Sequence, residues 1–229
     1  MKTIVGFIAF LLIALTATAD EGGVFTTPER PVDVNADFQE SFFKTQPWIN
    51  EFRYVVVVNK ADDGKDAQTI KVYEYGQLIR KEFVSTGRDA FEKKGEHHSK
   101  KDSWSITPTG YYTPDWLDKD HRSSNYGGIF SKIIGGTKMP FSIFFNGPIA
   151  LHEAPKGTEG ALGSKASGGC IRLPETLAED LFTRIKETNG ARIPKFTVEG
   201  QALVDSTGHL LFRNEPGFSA LIIVIKKVL

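Results

Sequence analysis

The chain has 229 residues, of which 40% are hydrophobic, 11% aromatic and 24% charged. This composition is typical of a folded globular protein and too rich in apolar side chains for a disordered one. The 28 basic and 28 acidic residues cancel, which argues against a dominant nucleic-acid-binding field. The single cysteine excludes an intramolecular disulfide and any cysteine-rich zinc or iron–sulfur site.

Residues 1–19 have the pattern of a secretory signal peptide. Lys2 precedes an apolar run from 4 to 15, and the segment ends in the Ala-x-Ala motif at 17–19. Because the apolar run is shorter than the ~20 residues that span a bilayer, we expect cleavage after Ala19 rather than a retained membrane anchor. No cysteine follows the cleavage position for lipid attachment. The mature chain is therefore expected to enter an oxidising compartment with one unpaired thiol.

Residues 20–50 are predicted to form an N-terminal extension. They begin polar and contain prolines, and Phe38, Phe42 and Phe43 follow at near-helical spacing. This spacing predicts a short helix near 36–44 whose aromatic face packs on the body of the protein. A flexible pro-segment is the alternative interpretation.

Short strands separated by turns are predicted along the middle of the chain. The strands are recognised by runs of β-branched residues or by alternating polar and apolar positions. Asn146-Gly147 is a strong hairpin signal between two of them. The stretch from 113 to 136 is polar and glycine-rich, and we assign no strand to it. The predicted strands cover residues 53–58, 69–74, 78–85, 141–145 and 148–152.

Paired histidines lie in a charged segment at 89–103. His97 and His98 suggest a metal site at first sight, but no acidic or thiol partner has ligand spacing. A solvated loop is the preferred interpretation, and we predict no metal site.

One helix is clearly predicted after Cys170. Pro174 suits its first turn, and Gly190 is well placed to end it. The segment 175–186 carries an apolar stripe of Leu and aromatic residues with charged residues on the opposite face. Residues 200–229 are predicted to be a C-terminal β-rich extension to a catalytic domain at 51–199. The whole pattern is mostly β, with this one clear helix.

Cys170 and His152 are the residues with the strongest catalytic pattern. Cys170 follows two glycines, which allow close backbone approach and can expose N–H groups to a developing oxyanion. A nucleophilic cysteine needs a nearby base, and His152 meets Cys170 if the intervening loop folds back between adjacent strands. Each residue alone has a simpler interpretation, Cys170 as a small buried hydrophobe and His152 as an ordinary histidine. Their combination in a secreted chain favours catalysis.

Together these segments resemble the L,D-transpeptidase catalytic domain, also called the YkuD-type domain. The resemblance extends from about residue 53 to 198, and the block around Cys170 with its upstream histidine is its specific part. The matching motifs occur in the family's order as Val-Ser-Thr-Gly at 84–87, Thr-Pro-Thr-Gly-Tyr at 107–111, Met-Pro-Phe at 139–141, Ile-Ala-Leu-His at 149–152 and Ala-Ser-Gly-Gly-Cys-Ile-Arg-Leu-Pro at 166–174.

The resemblance implies a β-sandwich-like catalytic fold, with the active site under a mobile lid, that acts on peptidoglycan stem peptides in cell wall biogenesis. A cysteine thiolate attacks the bond between a diamino acid and the following D-Ala of a tetrapeptide, and D-Ala leaves. The acyl group then passes to an amine acceptor, which is a second stem peptide, a wall-linked protein or a D-amino acid. Water in place of the amine gives L,D-carboxypeptidase activity. The resemblance implies no cofactor and no nucleic acid, and it implies a location in the periplasm or cell wall space.

Carried onto this sequence, the resemblance implies that Cys170 is the nucleophile and His152 the general base. Backbone N–H groups of Gly168, Gly169 and Cys170 would form the oxyanion hole. Ser167 would support this loop by hydrogen bonding.

Arg172 would orient the loop or contact a substrate carboxylate, a structural surface arginine being the alternative.

Two positions depart from the family pattern. Gly168 stands where the family usually has the histidine of Ser-His-Gly-Cys, and Glu153 follows the base where glycine is common. Glu153 would either contact an amine acceptor or face water.

These departures leave three interpretations of the function. Since nucleophile and base are both present, we expect an active transpeptidase with altered substrate or acceptor preference. A hydrolase on the same substrates is the second, because Gly168 would open the site to water. A non-catalytic wall-binding module is the third. A redox thiol protein is disfavoured, because Cys170 has no resolving partner.

Overall fold

The structure is a computed structural model that describes residues 28–127 and 135–228. The predicted signal peptide at 1–19 lies outside the described residues. Neither α-helix in the described part of the chain is long and apolar enough to cross a membrane.

The secondary structure is mostly β, as predicted. The α-helices of the described residues are α1 (Phe42–Thr45) and α2 (Glu175–Lys186), and 3₁₀ turns lie at Pro47–Glu51, Glu96–His98 and Glu159–Ala161. The strands are β1 (Tyr54–Asn59), β2 (Thr69–Glu74), β3 (Gln77–Phe83), β4 (Phe91–Glu92), β5 (Ser103–Trp104), β6 (Gly110–Tyr112), β7 (Trp116–Arg122), β8 (Lys138–Asn146), β9 (Ile149–Glu153), β10 (Ile171–Leu173), β11 (Asn189–Ala191), β12 (Gly217–Phe218) and β13 (Ala220–Ile225).

Two sheets share one core. A five-stranded sheet has the order β3-β2-β1-β13-β6, and a four-stranded sheet has the order β10-β9-β8-β7. Apolar side chains from both sheets and from α2 form a single buried cluster that includes Val56, Ile143 and Leu181. This layering matches the predicted β-sandwich-like fold.

The C-terminal strand β13 lies inside the first sheet. It runs parallel to β1 and also pairs with β6, and every residue of β1 and β13 is buried. Continuous β-branched runs suit strands that are covered on both faces. The segment 220–225, which lies in the predicted C-terminal β-rich extension, is therefore an internal strand of the five-stranded sheet.

The N-terminal segment covers the outer face of the first sheet. The predicted helix near 36–44 is shorter than expected and comprises only α1, but Phe38 and Phe43 do pack on Tyr73. Asp33 pairs with the fully buried Lys60, with Oδ1 2.8 Å from Nζ. This part of the extension is thus ordered against the body rather than a flexible pro-segment.

Strand β7 was not predicted. It pairs antiparallel with β8 at the edge of the second sheet, where its polar residues face solvent. An edge strand with exposed polar side chains lacks the apolar alternation by which strands are recognised in a sequence. The assignment of 113–136 as a polar stretch without a strand is therefore wrong for β7.

Helix α2 has the predicted bounds and packs on the second sheet. Five side chains of its apolar stripe are buried, namely Leu177, Ala178, Leu181, Phe182 and Ile185. Burying each large one contributes roughly 1.5–3 kcal/mol. Gly190 was predicted to end this helix, but it lies in β11 and has a φ of 95°.

Candidate active site

The pairing of β9 with β10 brings His152 and Cys170 to one face of the sheet. The two strands run parallel, with Leu151 opposite Ile171 and His152 opposite Arg172. Leu151 and Ile171 point into the shared core, so the alternating residues point to the opposite face. Cys170 directly precedes β10. It lies two residues before Arg172, which is the residue paired with His152 on the neighbouring strand. Strand spacing then places the Cα atoms of Cys170 and His152 about 8 Å apart, within reach of their side chains.

The Cys170 thiol is half-buried and protonated at neutral pH. Its Sγ donates to the carbonyl of Pro148 at 3.6 Å, and the side chain packs beside Met139 and Phe144. Burial raises the pKa of Cys170 to about 11, although the Ala150 amide and the nearby charge of Arg172 oppose this shift. A base must therefore remove the thiol proton before or during nucleophilic attack.

His152 is suited to be that base. Its side chain is only 4% exposed, and Nδ1 lies 2.7 Å from the backbone carbonyl of Glu153. Nδ1 must carry the proton to donate this bond, so Nε2 keeps a free lone pair. Burial lowers the pKa of His152 to about 4. The imidazole is consequently neutral and able to accept a proton near pH 7.

Ser167 braces the loop that carries the cysteine. Its buried hydroxyl donates to the carbonyl of Cys170 and accepts the N–H of Gly169 at 3.1 Å. Gly169 has a φ of 122°, and an added Cβ would lie 2.9 Å from the carbonyl oxygen of Ile106, so only glycine fits there.

The expected oxyanion hole is only partly available. Ser167 already engages the Gly169 N–H, whereas the N–H groups of Gly168 and Cys170 donate to no protein acceptor in the described ranges. These two amides are therefore the ones left to stabilise an oxyanion.

Arg172 places an unpaired cation on the same face. Its backbone pairs with Ser85, but its guanidinium makes no ion pair or hydrogen bond to any of the described residues. Burial, together with the neighbouring Arg88, lowers the pKa of Arg172. A partly desolvated guanidinium without a partner can receive a carboxylate in a bidentate geometry.

The ring of Tyr126 occupies the space beside Gly168. A Cβ built on Gly168 would lie 2.3 Å from Cζ of Tyr126. The hydrolase interpretation assumed that the missing side chain at 168 opens the site to water. On this side the ring of Tyr126 fills that space instead. Tyr126 was not predicted to lie at the site, because it precedes Gly168 by 42 residues and belongs to a segment without a recognisable motif.

A second histidine lies on the edge strand of the same sheet. His121 on β7 contacts Phe144 edge to face, with ring centroids 4.8 Å apart, and its Nδ1 lies 3.0 Å from Oδ2 of Asp118. A positive charge on His121 would act to lower the pKa of His152, but burial is the main cause of that lowered pKa. His121 was not among the predicted site residues because β7 itself was not predicted.

The remaining polar candidates lie outside this arrangement. Glu153 is half-buried, and burial raises the pKa of its carboxyl. The His97 side chain is 58% exposed and lies 3.5 Å from a carboxylate oxygen of Glu92. Within residues 28–127 and 135–228, no group of three His, Cys, Asp or Glu residues could hold a metal ion.

Comparison with known proteins identifies a family. The family model described as the L,D-transpeptidase catalytic domain, YkuD, matches residues 53–200. No curated protein matches the chain significantly.

A search of solved structures finds similarity to an L,D-transpeptidase from Mycobacterium smegmatis, with 18% identity and a TM-score of 0.45 over 76% of this chain and 58% of that one. Another is the L,D-transpeptidase of Xylanimonas cellulosilytica DSM 15894, with 18% identity and a TM-score of 0.45 over 86% and 63% of the two chains. A third, from Mycobacterium tuberculosis H37Rv, has 16% identity and a TM-score of 0.44 over 76% and 58%. The chain spans about three-fifths of the length of these structures.

Proposed function

The chain belongs to the L,D-transpeptidase catalytic domain family, and we propose that it is a cysteine-dependent peptidoglycan L,D-transpeptidase. The observation that carries the proposal is the placement of Cys170 and His152 on one sheet face, with Nε2 of the histidine unprotonated. A thiol and a neutral imidazole on one face of a sheet are the groups that nucleophilic acyl transfer needs.

The acylation step follows from these protonation states. As Sγ of Cys170 attacks the carbonyl carbon of the diamino acid residue, Nε2 of His152 accepts the thiol proton. The developing oxyanion is held by the amides of Gly168 and Cys170. His152 then gives the proton to the leaving nitrogen, the C–N bond breaks, and D-Ala departs as a free amine. A thioester to Cys170 remains.

The second step regenerates the thiol. An amine of a second stem peptide, a wall-linked protein or a D-amino acid attacks the thioester, and His152 takes a proton from the attacking nitrogen. The C–S bond breaks, and His152 returns the proton to Cys170. Water in place of the amine would give a shortened stem peptide.

Arg172 is proposed to bind a substrate carboxylate. It lies on the same face as the thiol and has no protein partner in the described residues. The stem tetrapeptide ends in the free carboxylate of D-Ala, which such a guanidinium would hold while the preceding bond is attacked.

The test is acylation by a purified tetrapeptide muropeptide. We expect release of D-Ala and an increase in intact mass equal to the acyl group, and both should be absent in Cys170→Ala. Loss of both signals in His152→Gln is also expected. The absence of an adduct and of D-Ala release from every tetrapeptide offered would overturn the proposal. Product analysis separates transfer from hydrolysis, since transfer gives 3→3 dimers and hydrolysis gives tripeptides alone.

The site of action is proposed to be the periplasm or cell wall space. The signal-peptide pattern at 1–19 supports this location. N-terminal sequencing of the exported protein should give a chain that begins at Asp20. An unprocessed chain recovered from the cytoplasm would contradict it.

A further inference from the structure

Gly168 lies in direct contact with the ring of Tyr126. A Cβ on Gly168 would be 2.3 Å from Cζ and 2.4 Å from both Cε2 and Oη of the tyrosine. Since carbon atoms in contact are ordinarily about 3.5–4 Å apart, no side chain fits between the loop and the ring. Gly168 does not have a positive φ, so the contact with Tyr126, and not the backbone conformation, is what demands glycine here.

A buried ion pair holds the Tyr126 side chain in this place. The hydroxyl of Tyr126 donates to Oε2 of Glu92 at 3.1 Å, and the Glu92 side chain is 2% exposed. The other oxygen of Glu92 accepts from Nε of Arg88. Burial acts to raise the pKa of Glu92, but the hydrogen bond and charge of Arg88, together with the hydroxyls of Ser105 and Tyr126, outweigh it and leave that pKa lowered. Glu92 is therefore an ionised acceptor for the phenol.

The same ion pair reaches the cysteine loop directly. Nη1 of Arg88 donates to the carbonyl of Ala166, and the Arg88 amide donates to the carbonyl of Ser167 at 3.2 Å. Glu92 thus orients both the ring that touches Gly168 and the guanidinium that holds the preceding residues.

The backbone of Tyr126 is anchored independently. Its carbonyl accepts the Thr137 amide at 2.9 Å, its amide donates to the hydroxyl of Ser123 at 3.0 Å, and Ser99 forms a β-bridge with it. The ring is consequently a fixed wall and not a side chain that happens to lie nearby.

We propose that Tyr126, held by Glu92 and Arg88, is a positioning residue for the nucleophile. Its ring replaces a side chain at 168 and holds the loop so that the amides of Gly168 and Cys170 and the thiol face the substrate. The proposal rests on the proposed function for its effect on catalysis. The effect on the thiol itself can be measured without it.

Four variants test this role. Tyr126→Ala removes the wall, and Gly168→Ala forces a methyl group into it; each should displace the loop. We expect a loss of at least tenfold in kcat/KM for D-Ala release, because small misplacements of reacting groups are costly. Tyr126→Phe keeps the ring but loses the hydrogen bond to Glu92, so its kcat/KM should lie between those of Tyr126→Ala and the parent. In the double variant Tyr126→Ala/Gly168→His, the histidine side chain fills the space that the tyrosine ring leaves. This variant should therefore be more active than Tyr126→Ala alone.

The thiol offers a second readout that a general loss of catalytic power would not give. Because a displaced loop exposes Sγ, iodoacetamide should alkylate Cys170 at least threefold faster in Tyr126→Ala and Gly168→Ala, and by a smaller factor in Tyr126→Phe. Matched controls are Tyr75→Ala, a tyrosine that is 72% exposed, and Gly160→Ala, a glycine whose added Cβ meets nothing within 4 Å. Thermal unfolding verifies that each variant is folded.

The outcomes separate this inference from the proposed function. If the parent releases no D-Ala, the proposed function fails, and the alkylation series still decides the role of Tyr126. If Tyr126→Ala and Gly168→Ala match their controls in alkylation, or if the parent is active and both retain its kcat/KM, the positioning role is wrong.

Discussion

Nδ1 of His152 donates to the backbone carbonyl of Glu153 at 2.7 Å, so the residue after the base sets the tautomer of the base. The bond uses a main-chain oxygen, which any residue at 153 supplies. The glutamate side chain is therefore not needed to orient the imidazole, and Nε2 remains the proton-accepting atom.

The first prediction concerns the pH dependence of acylation. Burial lowers the pKa of His152 to about 4 and raises that of Cys170 to about 11. The base is thus neutral and the thiol protonated over the whole range between these values. We expect kcat/KM for D-Ala release to be flat from about pH 5 to 10 and to fall about tenfold per pH unit below 4. A thiol that titrates below pH 8 in iodoacetamide alkylation would contradict this assignment.

The second prediction concerns stability in acid. The pKa of His152 is about 4 in the folded protein and about 6.5 in the unfolded chain. Between these pH values the His152 imidazole is protonated in the unfolded chain but neutral in the folded protein. The free energy of unfolding is therefore unaffected by this group above pH 6.5 and decreases as the pH falls toward 4. The difference between the two pKa values of His152 corresponds to a loss of roughly 3 kcal/mol in the free energy of unfolding at pH 4. Urea unfolding at pH 7 and pH 5 should show a smaller decrease in His152→Gln than in the parent, whereas His209→Gln, 83% exposed, should behave like the parent.

The third prediction concerns the N-terminal segment. Asp33 accepts from the buried Lys60 at 2.8 Å and from the amide of Thr109 at 2.9 Å. Asp33→Asn leaves the buried ammonium with a weaker partner and should lower the free energy of unfolding by roughly 1–3 kcal/mol. Asp37→Asn, in the more exposed pair with Lys227, should change it by less than about 1 kcal/mol. Equal effects of the two substitutions in urea unfolding would argue against a structural role for the Lys60 pair.

The fourth prediction concerns Ser167. Replacing it by alanine removes the hydroxyl that connects the Gly169 amide and the Cys170 carbonyl. The buried Gly169 amide and the part-buried Cys170 carbonyl lose this partner, which should cost about 1–3 kcal/mol of stability and lower the rate of D-Ala release. The control is Ser164→Ala, whose exposed hydroxyl bonds only to the nearby carbonyl of Ala161. If Ser164→Ala and Ser167→Ala release D-Ala at the same rate, the brace is not important for catalysis.

The fifth prediction concerns Arg172. In Arg172→Gln, KM for a tetrapeptide with a free terminal carboxylate should rise about tenfold or more, since a charge-assisted hydrogen bond contributes roughly 1.5–3 kcal/mol. A tetrapeptide amidated at its C-terminus should be used equally well by the parent and the variant. Arg192→Gln changes an exposed arginine that stacks on Phe212 and serves as the control. A variant that still discriminates between free and amidated substrates would show that another group binds the carboxylate.

Much of the local structure was predictable because its signals are local. The bounds of α2 follow from an apolar stripe at helical spacing after Pro174, and the β8–β9 hairpin follows from Asn146-Gly147. The Cys170 block and its upstream histidine are also contiguous motifs. Sequence alone therefore determined the fold class, the pair of residues to consider and the family they resemble.

Tertiary structure decided what depends on pairing between distant segments. Only sheet formation places β13 between β1 and β6, and only its pairing with β8 makes the polar segment of β7 a strand. The low pKa of His152 arises from burial, which no local pattern reports. The contact between Tyr126 and Gly168 likewise forms across 42 residues of chain. Spacing along the sequence encodes periodicity and turns, whereas burial, charge environment and long-range contacts exist only once the sheets have packed.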